Sequence, residues 1–189
     1  MGKEKEIREH RIDYKKSISG KKVERLLITA KKVKVSVQPM QSNKIRMWLQ
    51  GEAASEVILK TRKREKEQVI MLQEGSDIKN VVLKIAIPTT IKYLSIGTAS
   101  ADVKIKNVLP KELRIKTNNG LVDISTPDMD RECEININTQ YADIQVQIIG
   151  HVELDSRSIT GETHDHHKTN GKSIVKIKAR SISGDITVL

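Results

Sequence analysis

Four carboxylates recur at one kind of place in the C-terminal half of the chain. Asp102, Asp143, Glu162 and Asp185 each follow a small residue: Ala101, Ala142, Gly161 or Gly184. If the segments that carry them stack, the acids form a column along one edge, with rungs about 5 Å apart. Carboxylates that close could share a cation such as Ca2+. They could also serve as an acid and base pair on a polysaccharide. Leu121 interrupts the column, and no Arg or Lys stands at a fixed offset to complete a shared site. Asp after Gly or Ala is also ordinary turn chemistry, in which the carboxylate caps local backbone N–H groups. We adopt that reading. A second cluster is Glu162-Thr163-His164-Asp165-His166-His167. His164 and His166 alternate, so on a strand they would point the same way and could hold Zn2+ with a carboxylate. No distant His or Cys completes such a set, and Lys168-Thr169-Asn170-Gly171-Lys172 follows as a turn signal. The segment reads as a polar loop. No catalytic, metal or cofactor site is assigned; Asp143, Glu162, Asp185, His164 and His166 are the residues a metal would use.

A third feature is basic. Residues 1–50 carry 14 Lys or Arg against 5 Asp or Glu, and Lys15-Lys16, Lys21-Lys22 and Lys31-Lys32-Val33-Lys34 stand close together. Such a stretch can attract nucleic acid, anionic lipid or an acidic wall polymer. It reads first as a solvated surface that keeps a β protein soluble and blunts sheet edges. No helix-turn-helix, zinc finger or aromatic RNA motif accompanies it, so sequence-specific nucleic-acid binding is not expected. The single cysteine, Cys133, lies in an alternating run and reads as a buried, inert thiol. There is no Gly-rich phosphate loop, nucleophile elbow or cofactor motif.

The elements that must position these residues are strands. The chain has 189 residues, with 25 Ile, 15 Val and 12 Leu, no Phe, one Trp and three Tyr. β-branched apolar residues dominate, which suits strands and argues against a helical bundle. So few rings argue against a stacking platform for single-stranded nucleic acid. The second half also repeats itself. Thr98-Ala99-Ser100-Ala101, Thr117-Asn118-Asn119-Gly120, Thr139-Gln140-Tyr141-Ala142, Ser158-Ile159-Thr160-Gly161 and Ser181-Ile182-Ser183-Gly184 align. The anchors Ala101, Gly120, Ala142, Gly161 and Gly184 are spaced 19, 22, 19 and 23 residues apart. An alternating run flanks each anchor on either side. Strand, tight corner, strand at a period near 20 is one turn of a β-solenoid with three faces of roughly six or seven residues. Alternation sends Ile and Val inward, and Gly or Ala sits where a side chain would clash.

The N-terminal half is β as well but less regular, with Pro39, Gly51, Gly75 and Pro88 between strand-like runs. Thr29 to Val35 looks like a degenerate copy of the repeat. The charge run Thr61 to Glu67 reads as a hairpin end. The expectation is one domain over 1–189, irregular over 1–93 and regular over 94–189.

These repeats resemble the bacterial putative-adhesin family, a β-solenoid family of largely unknown function. The residues that carry the likeness are Leu27 to Val35, Leu83-Lys84-Ile85-Ala86-Ile87-Pro88, Ala99 to Ile105 and Ser181-Ile182-Ser183-Gly184-Asp185-Ile186. The likeness spans roughly residues 20–189 and departs at Leu121, Thr163 and His164. It implies a right-handed all-β solenoid, and relatives associated with cell-envelope stress.

The function expected from the whole is a non-enzymatic, adhesin-like binding protein that engages a protein or an anionic envelope polymer, with no cofactor. The alternative is an intracellular self-associating scaffold or envelope-stress accessory protein. The strand-like end Ile186 to Leu189 has no polar tail and reads as an open solenoid end, which favours a homo-oligomer. Met1 to Arg11 has no apolar core of a signal peptide, and no run of 18 apolar residues exists. A cytoplasmic address is expected on that basis, with the cell surface as the alternative if the start is incomplete.

Overall fold

The computed structural model describes residues 10–108, 110–126, 132–167 and 169–189. Every regular element among them is a strand. In chain order they are β1 (His10–Ser19), β2 (Arg25–Thr29), β3 (Lys34–Met40), β4 (Lys44–Ala53), β5 (Val57–Arg64) and β6 (Glu67–Glu74). Then come β7 (Val82–Pro88), β8 (Tyr93–Gly97), β9 (Val103–Lys106), β10 (Glu112–Thr117), β11 (Leu121–Thr126) and β12 (Cys133–Thr139). The last are β13 (Asp143–Ile148), β14 (Gly150–Ser158), β15 (Thr163–Asp165), β16 (Thr169–Ser181) and β17 (Ile186–Val188).

They form two sheets. Sheet I runs β1-β4-β7-β3-β9-β11-β13-β17-β15, and sheet II runs β14-β16-β12-β10-β8-β2-β6-β5. Among the described residues, seven two-strand rungs each place one strand in each sheet: β2–β3, β6–β7, β8–β9, β10–β11, β12–β13, β14–β15 and β16–β17. The architecture is all-β and solenoid-like, but its coil has two sheets where three faces were expected. After β9 the chain turns at Asn107 (φ 57°) and forms no third strand before Glu112. The rungs also begin earlier than residue 94: β2–β3 and β6–β7 extend the same two sheets. The expected hairpin lies between β5 and β6, which pair antiparallel around Glu65 (φ 45°).

Alternation builds the core. On sheet II, Leu26, Leu94, Leu113, Ile135 and Ile177 stack in register, and so do Ile28, Ile96, Ile115, Ile137 and Ala179. Sheet I answers with Val35, Val103, Val122, Ile144 and Ile186, and with Val37, Ile105, Ile124, Val146 and Val188. All of these are buried. Short branched side chains at a rung spacing of about 4.8 Å fill a narrow gap without voids. Rings would be too wide for the ladder, which accounts for the missing Phe.

Chain order and stacking order differ at both ends. β6–β7 lies outside β2–β3, and β16–β17 is inserted between β12–β13 and β14–β15. The C-terminal strand is therefore not an open end: β17 pairs with β13 on one side and β15 on the other. The inward registers explain the swap. β17 supplies Ile186 and Val188 to the ladders, whereas β15 offers Thr163 and Asp165 there. Burying the Asp165 carboxylate inside the stack would cost more than the roughly 2–7 kcal/mol of an uncompensated neutral polar group. The polar rung goes to the end, where water reaches it.

Candidate binding surface

The acidic column forms, and its order is Asp102, Leu121, Asp143, Asp185, Glu162 from rung to rung. Each Asp in it works as a clip between neighbouring rungs. The Leu121 N–H donates to Asp102 Oδ1 at 3.1 Å, the Asp185 N–H to Asp143 Oδ1 at 2.9 Å, and the Glu162 N–H to Asp185 Oδ1 at 2.8 Å. Asp102 also pairs with Lys34 Nζ at 3.0 Å. At the far end of the stack the same task falls to Glu74, whose carboxylate accepts the N–H groups of Lys31, Lys32 and Val33 at 2.6–3.2 Å. The column holds the corners of the rungs together.

The histidine segment is not a loop, as the turn signal after it suggested. Residues 163–165 are β15, the edge strand of sheet I. The rings of His164 and His166 stack with centroids 6.1 Å apart. His164 Nε2 lies 3.0 Å from Glu162, and His167 meets Asp165. Burial pushes the Asp165 carboxyl up, but the His167 ring and backbone N–H, with His166 nearby, outweigh it and hold the group below the usual range. Among the described residues no three His, Cys, Asp or Glu gather as a metal cluster. Lys168 itself lies outside the described residues, but the turn expected over Lys168 to Lys172 is replaced by β16, which starts at Thr169 and takes up the extra residues where its register against β14 shifts between Gly150/Thr169 and His151/Ile174. Cys133 is buried beneath Lys111 and Lys176, and burial, with Glu134 nearby, pushes its thiol up to about 12.

Sequence reading found the corners Ala101, Gly120, Ala142, Gly161 and Gly184 but not the hydroxyls that serve them. Three residues before each corner stands Thr98, Thr117, Thr139, Ser158 or Ser181. These stack as a column in the order Thr98, Thr117, Thr139, Ser181, Ser158. Thr98 and Thr139 donate to the carbonyls of Ala101 and Ala142, while Gly161 and Gly184 donate their N–H groups to Ser158 and Ser181. The recurring Ser/Thr is thus a side-chain cap on its own turn. The corners themselves are in backbone contact from rung to rung. A Cβ on Gly184 would meet the Ala142 carbonyl oxygen at 1.9 Å, and one on Gly120, at φ 115°, would meet the Ala101 carbonyl at 2.7 Å.

The N-terminal lysines do not make one stripe. Lys15 and Lys16 lie on edge strand β1, Lys22 sits in a turn at φ 65°, Lys31 and Lys32 flank the Glu74 clip, and Lys34 is paired. The basic surface lies elsewhere, on the outer face of sheet II. One outward row there reads Lys60, Met71, Thr29, Gly97, Lys116, Asn138, Arg180, Arg157 and contains no acid. The next reads Arg62, Val69, Leu27, Ser95, Arg114, Asn136, Lys178, Asp155. The other carboxylates of this face, Glu67, Glu112, Glu134 and Glu153, all fall in a third row at one rim. A shallow depression of about 400 Å3 opens between Arg114 and Lys116 on β10 and Lys178 and Arg180 on β16, with Asn136 and Asn138 on its floor. A second of about 260 Å3 adjoins it through Ser95 and Arg114, where the Arg25 guanidinium lies 4.7 Å over the Tyr93 ring. Hydrogen bonding to Arg180, then the charge of Lys178, holds the Asp155 carboxyl below its usual range. Counting charge by sheet face rather than by sequence window would have shown this surface, because Arg114, Lys116, Lys178 and Arg180 occupy the outward positions of two repeats.

Comparison with known proteins bears on this stack of corners and rungs. The family model described as Toastrack DUF4097 matches residues 89–189. The chain belongs to the Toastrack DUF4097 family. This is a bacterial putative-adhesin family of unknown function. The Toastrack match covers β8 to β17 and so contains all five corners. A solved structure described as a putative cell adhesion protein, from Clostridium sporogenes ATCC 15579, aligns over 95% of this chain and 99% of its own with a TM-score of 0.75 and 12% identity. That likeness concerns the fold, and it extends the solenoid-like architecture to nearly the full chain. A putative adhesin from Bacteroides fragilis NCTC 9343 aligns over 94% and 97% of the two chains at 9% identity, with a TM-score of 0.40. No curated protein matches the chain. Among the described residues no helix is long and apolar enough to cross a membrane.

Proposed function

We propose that this Toastrack chain is a non-enzymatic binding module of the adhesin-like kind. Its working surface is the outer face of sheet II, and its partner is a protein or polymer of the cell envelope. One observation carries the reading. The two outward rows away from the acidic rim hold seven cations, Lys60, Arg62, Arg114, Lys116, Arg157, Lys178 and Arg180, against the single carboxylate of Asp155. A flat, rigid face with one sign of charge raises the local concentration of partners of the other sign. The description of the Clostridium sporogenes structure as a cell adhesion protein supports a binding role. The acidic column supports a non-catalytic one, since its Asp side chains already accept backbone N–H groups. Two finer points of the fold belong to the same reading: rungs of about 20 residues, and a right-handed coil, the hand that parallel crossovers take when right-twisted strands feed them.

The test is sedimentation of the purified chain with envelopes prepared from native cells. The chain pellets at low salt and is released at high salt if the reading holds; a chain that stays in the supernatant at low salt contradicts it. Protease treatment of intact cells then decides between the cell surface and the cytoplasm. A second reading, the self-associating scaffold, draws on exposed Tyr141, Ile159 and Ile182 at the corners of the last three rungs. Concentration-dependent light scattering supports it, and a strict monomer removes it.

A further inference from the structure

Cations on the outer face of sheet II are spaced as a lattice. Arg114 and Lys116 are two residues apart on β10, about 6.6 Å along the strand; Lys178 and Arg180 repeat them on β16, two rungs or about 9.6 Å away. Asn136 and Asn138 stand on the intervening strand between the charges; Asn136 already gives one amide hydrogen to Glu134 Oε1 at 2.9 Å and keeps the other. Arg114 and Arg180 are oriented by Glu112 and Asp155. Lys116 and Lys178 have no carboxylate partner among the described residues. On sheet I outward Lys34 and Lys104 are paired with Asp102 and Asp123 at 3.0 Å, Lys84 and Lys106 have no carboxylate partner among the described residues, and the column of acids repels the same ligand.

We propose that this lattice is the track for a linear phosphate polymer of the envelope, laid across the rungs from β10 to β16 with Lys116 and Lys178 as its main contacts. The inference rests on the envelope-binding reading and narrows it from a protein or a polymer to a polyanion. Phosphate oxygens suit this floor because guanidinium forks and amide donors can meet them in regular repeat. Bases would gain little, since no aromatic ring lines the depression. Each phosphate neutralised releases counterions, so binding falls with salt by about 0.7 log units per log unit of salt for each contact on a single-stranded polyanion.

The experiment measures binding of fluorescent long-chain inorganic polyphosphate, with inorganic phosphate and single-stranded DNA of matched charge as competitors. It compares wild type, Lys116→Glu/Lys178→Glu on sheet II and Lys84→Glu/Lys104→Glu on sheet I, which carry equal charge changes. Lys116→Gln/Lys178→Gln serves if the first variant does not fold. The expected result is a loss of at least about tenfold for the sheet II variant and a salt slope flatter by about 1.4, the contribution of two contacts. The sheet I variant stays within about threefold, and DNA competes no better than polyphosphate. Equal losses in both charge-reversal variants would overturn the track, because net charge alone would then explain binding. Tighter DNA binding would overturn the polymer class. If polyphosphate fails to bind while envelopes still pellet the chain, the inference fails and the envelope reading stands with a protein partner. If neither binds, both fail.

Discussion

Substituting Gly184 by alanine tests the rung stacking at its tightest point. The new Cβ would lie 1.9 Å from the Ala142 carbonyl oxygen and 2.4 Å from its carbon, both backbone atoms of the next rung. Neither can rotate away, so the rungs must part by about an ångström to relieve the contact. Two hydrogen bonds join the rungs beside that contact: Asp185 N–H to Asp143 Oδ1 at 2.9 Å and Ile144 N–H to the Asp185 carbonyl at 2.8 Å. Overpacking of this kind costs about 1–3 kcal/mol, and losing two hydrogen bonds adds about 1 kcal/mol each. The expected destabilisation is about 3–5 kcal/mol, a large part of the roughly 5–15 kcal/mol that holds a typical domain folded. Urea unfolding followed by far-UV circular dichroism and by the single Trp48 measures it. Gly97 is the control, because nothing lies within 4 Å of a Cβ built there; Gly97→Ala is expected within about 0.5 kcal/mol of wild type. A Gly184→Ala protein as stable as wild type would refute the stacking of Ala142 on Gly184.

Thr139→Val removes the donor to the Ala142 carbonyl from a buried position and is expected to cost about 1–3 kcal/mol. Thr139→Ser, which restores the hydroxyl found at 158 and 181, recovers most of it in the same urea assay. Cys133, with its thiol pushed up to about 12, holds roughly one part in ten thousand as thiolate at pH 8, so it labels with iodoacetamide only as fast as the protein unfolds. Rapid labelling of the folded protein would contradict its burial. Asp155 is depressed by Arg180 and Lys178, so its stabilisation is present above the ordinary Asp pKa and lost as pH falls through its lower folded value. The difference in melting temperature between wild type and Asp155→Asn is therefore expected at neutral pH and vanishes in acid.

Much of the fold was legible because alternation and small corner residues repeat in plain view. The ladders through Val103, Val122, Ile144 and Ile186 follow from period-two patterning alone. The stacking order did not follow, since nothing in a strand's own backbone names the parallel strand that lies beside it. Its one sequence signal was the polar pair Thr163 and Asp165 at inward positions, which marks a rung that faces water rather than a poor copy of the repeat. Two sheets instead of three faces was also hidden, because the segments between rungs carry no pattern that distinguishes a strand from a crossing turn. The carboxylate column was visible, but its Asp residues accept N–H groups of the neighbouring rung, 19 to 42 residues away, and not the local turn N–H groups that turn chemistry implied. The basic face of sheet II was missed because charge was summed along the chain. Lys116 and Lys178 are 62 positions apart in sequence and two rungs apart in the fold.

Site-specific photocrosslinking in native cells asks which face meets a partner. A crosslinking residue replaces Asn136 on sheet II in one strain and Gln145 on sheet I in another, both outward on neighbouring strands of the same rung. The assignment of sheet II as the working surface predicts a discrete adduct from position 136 and none from 145. An adduct from 145 alone would contradict it.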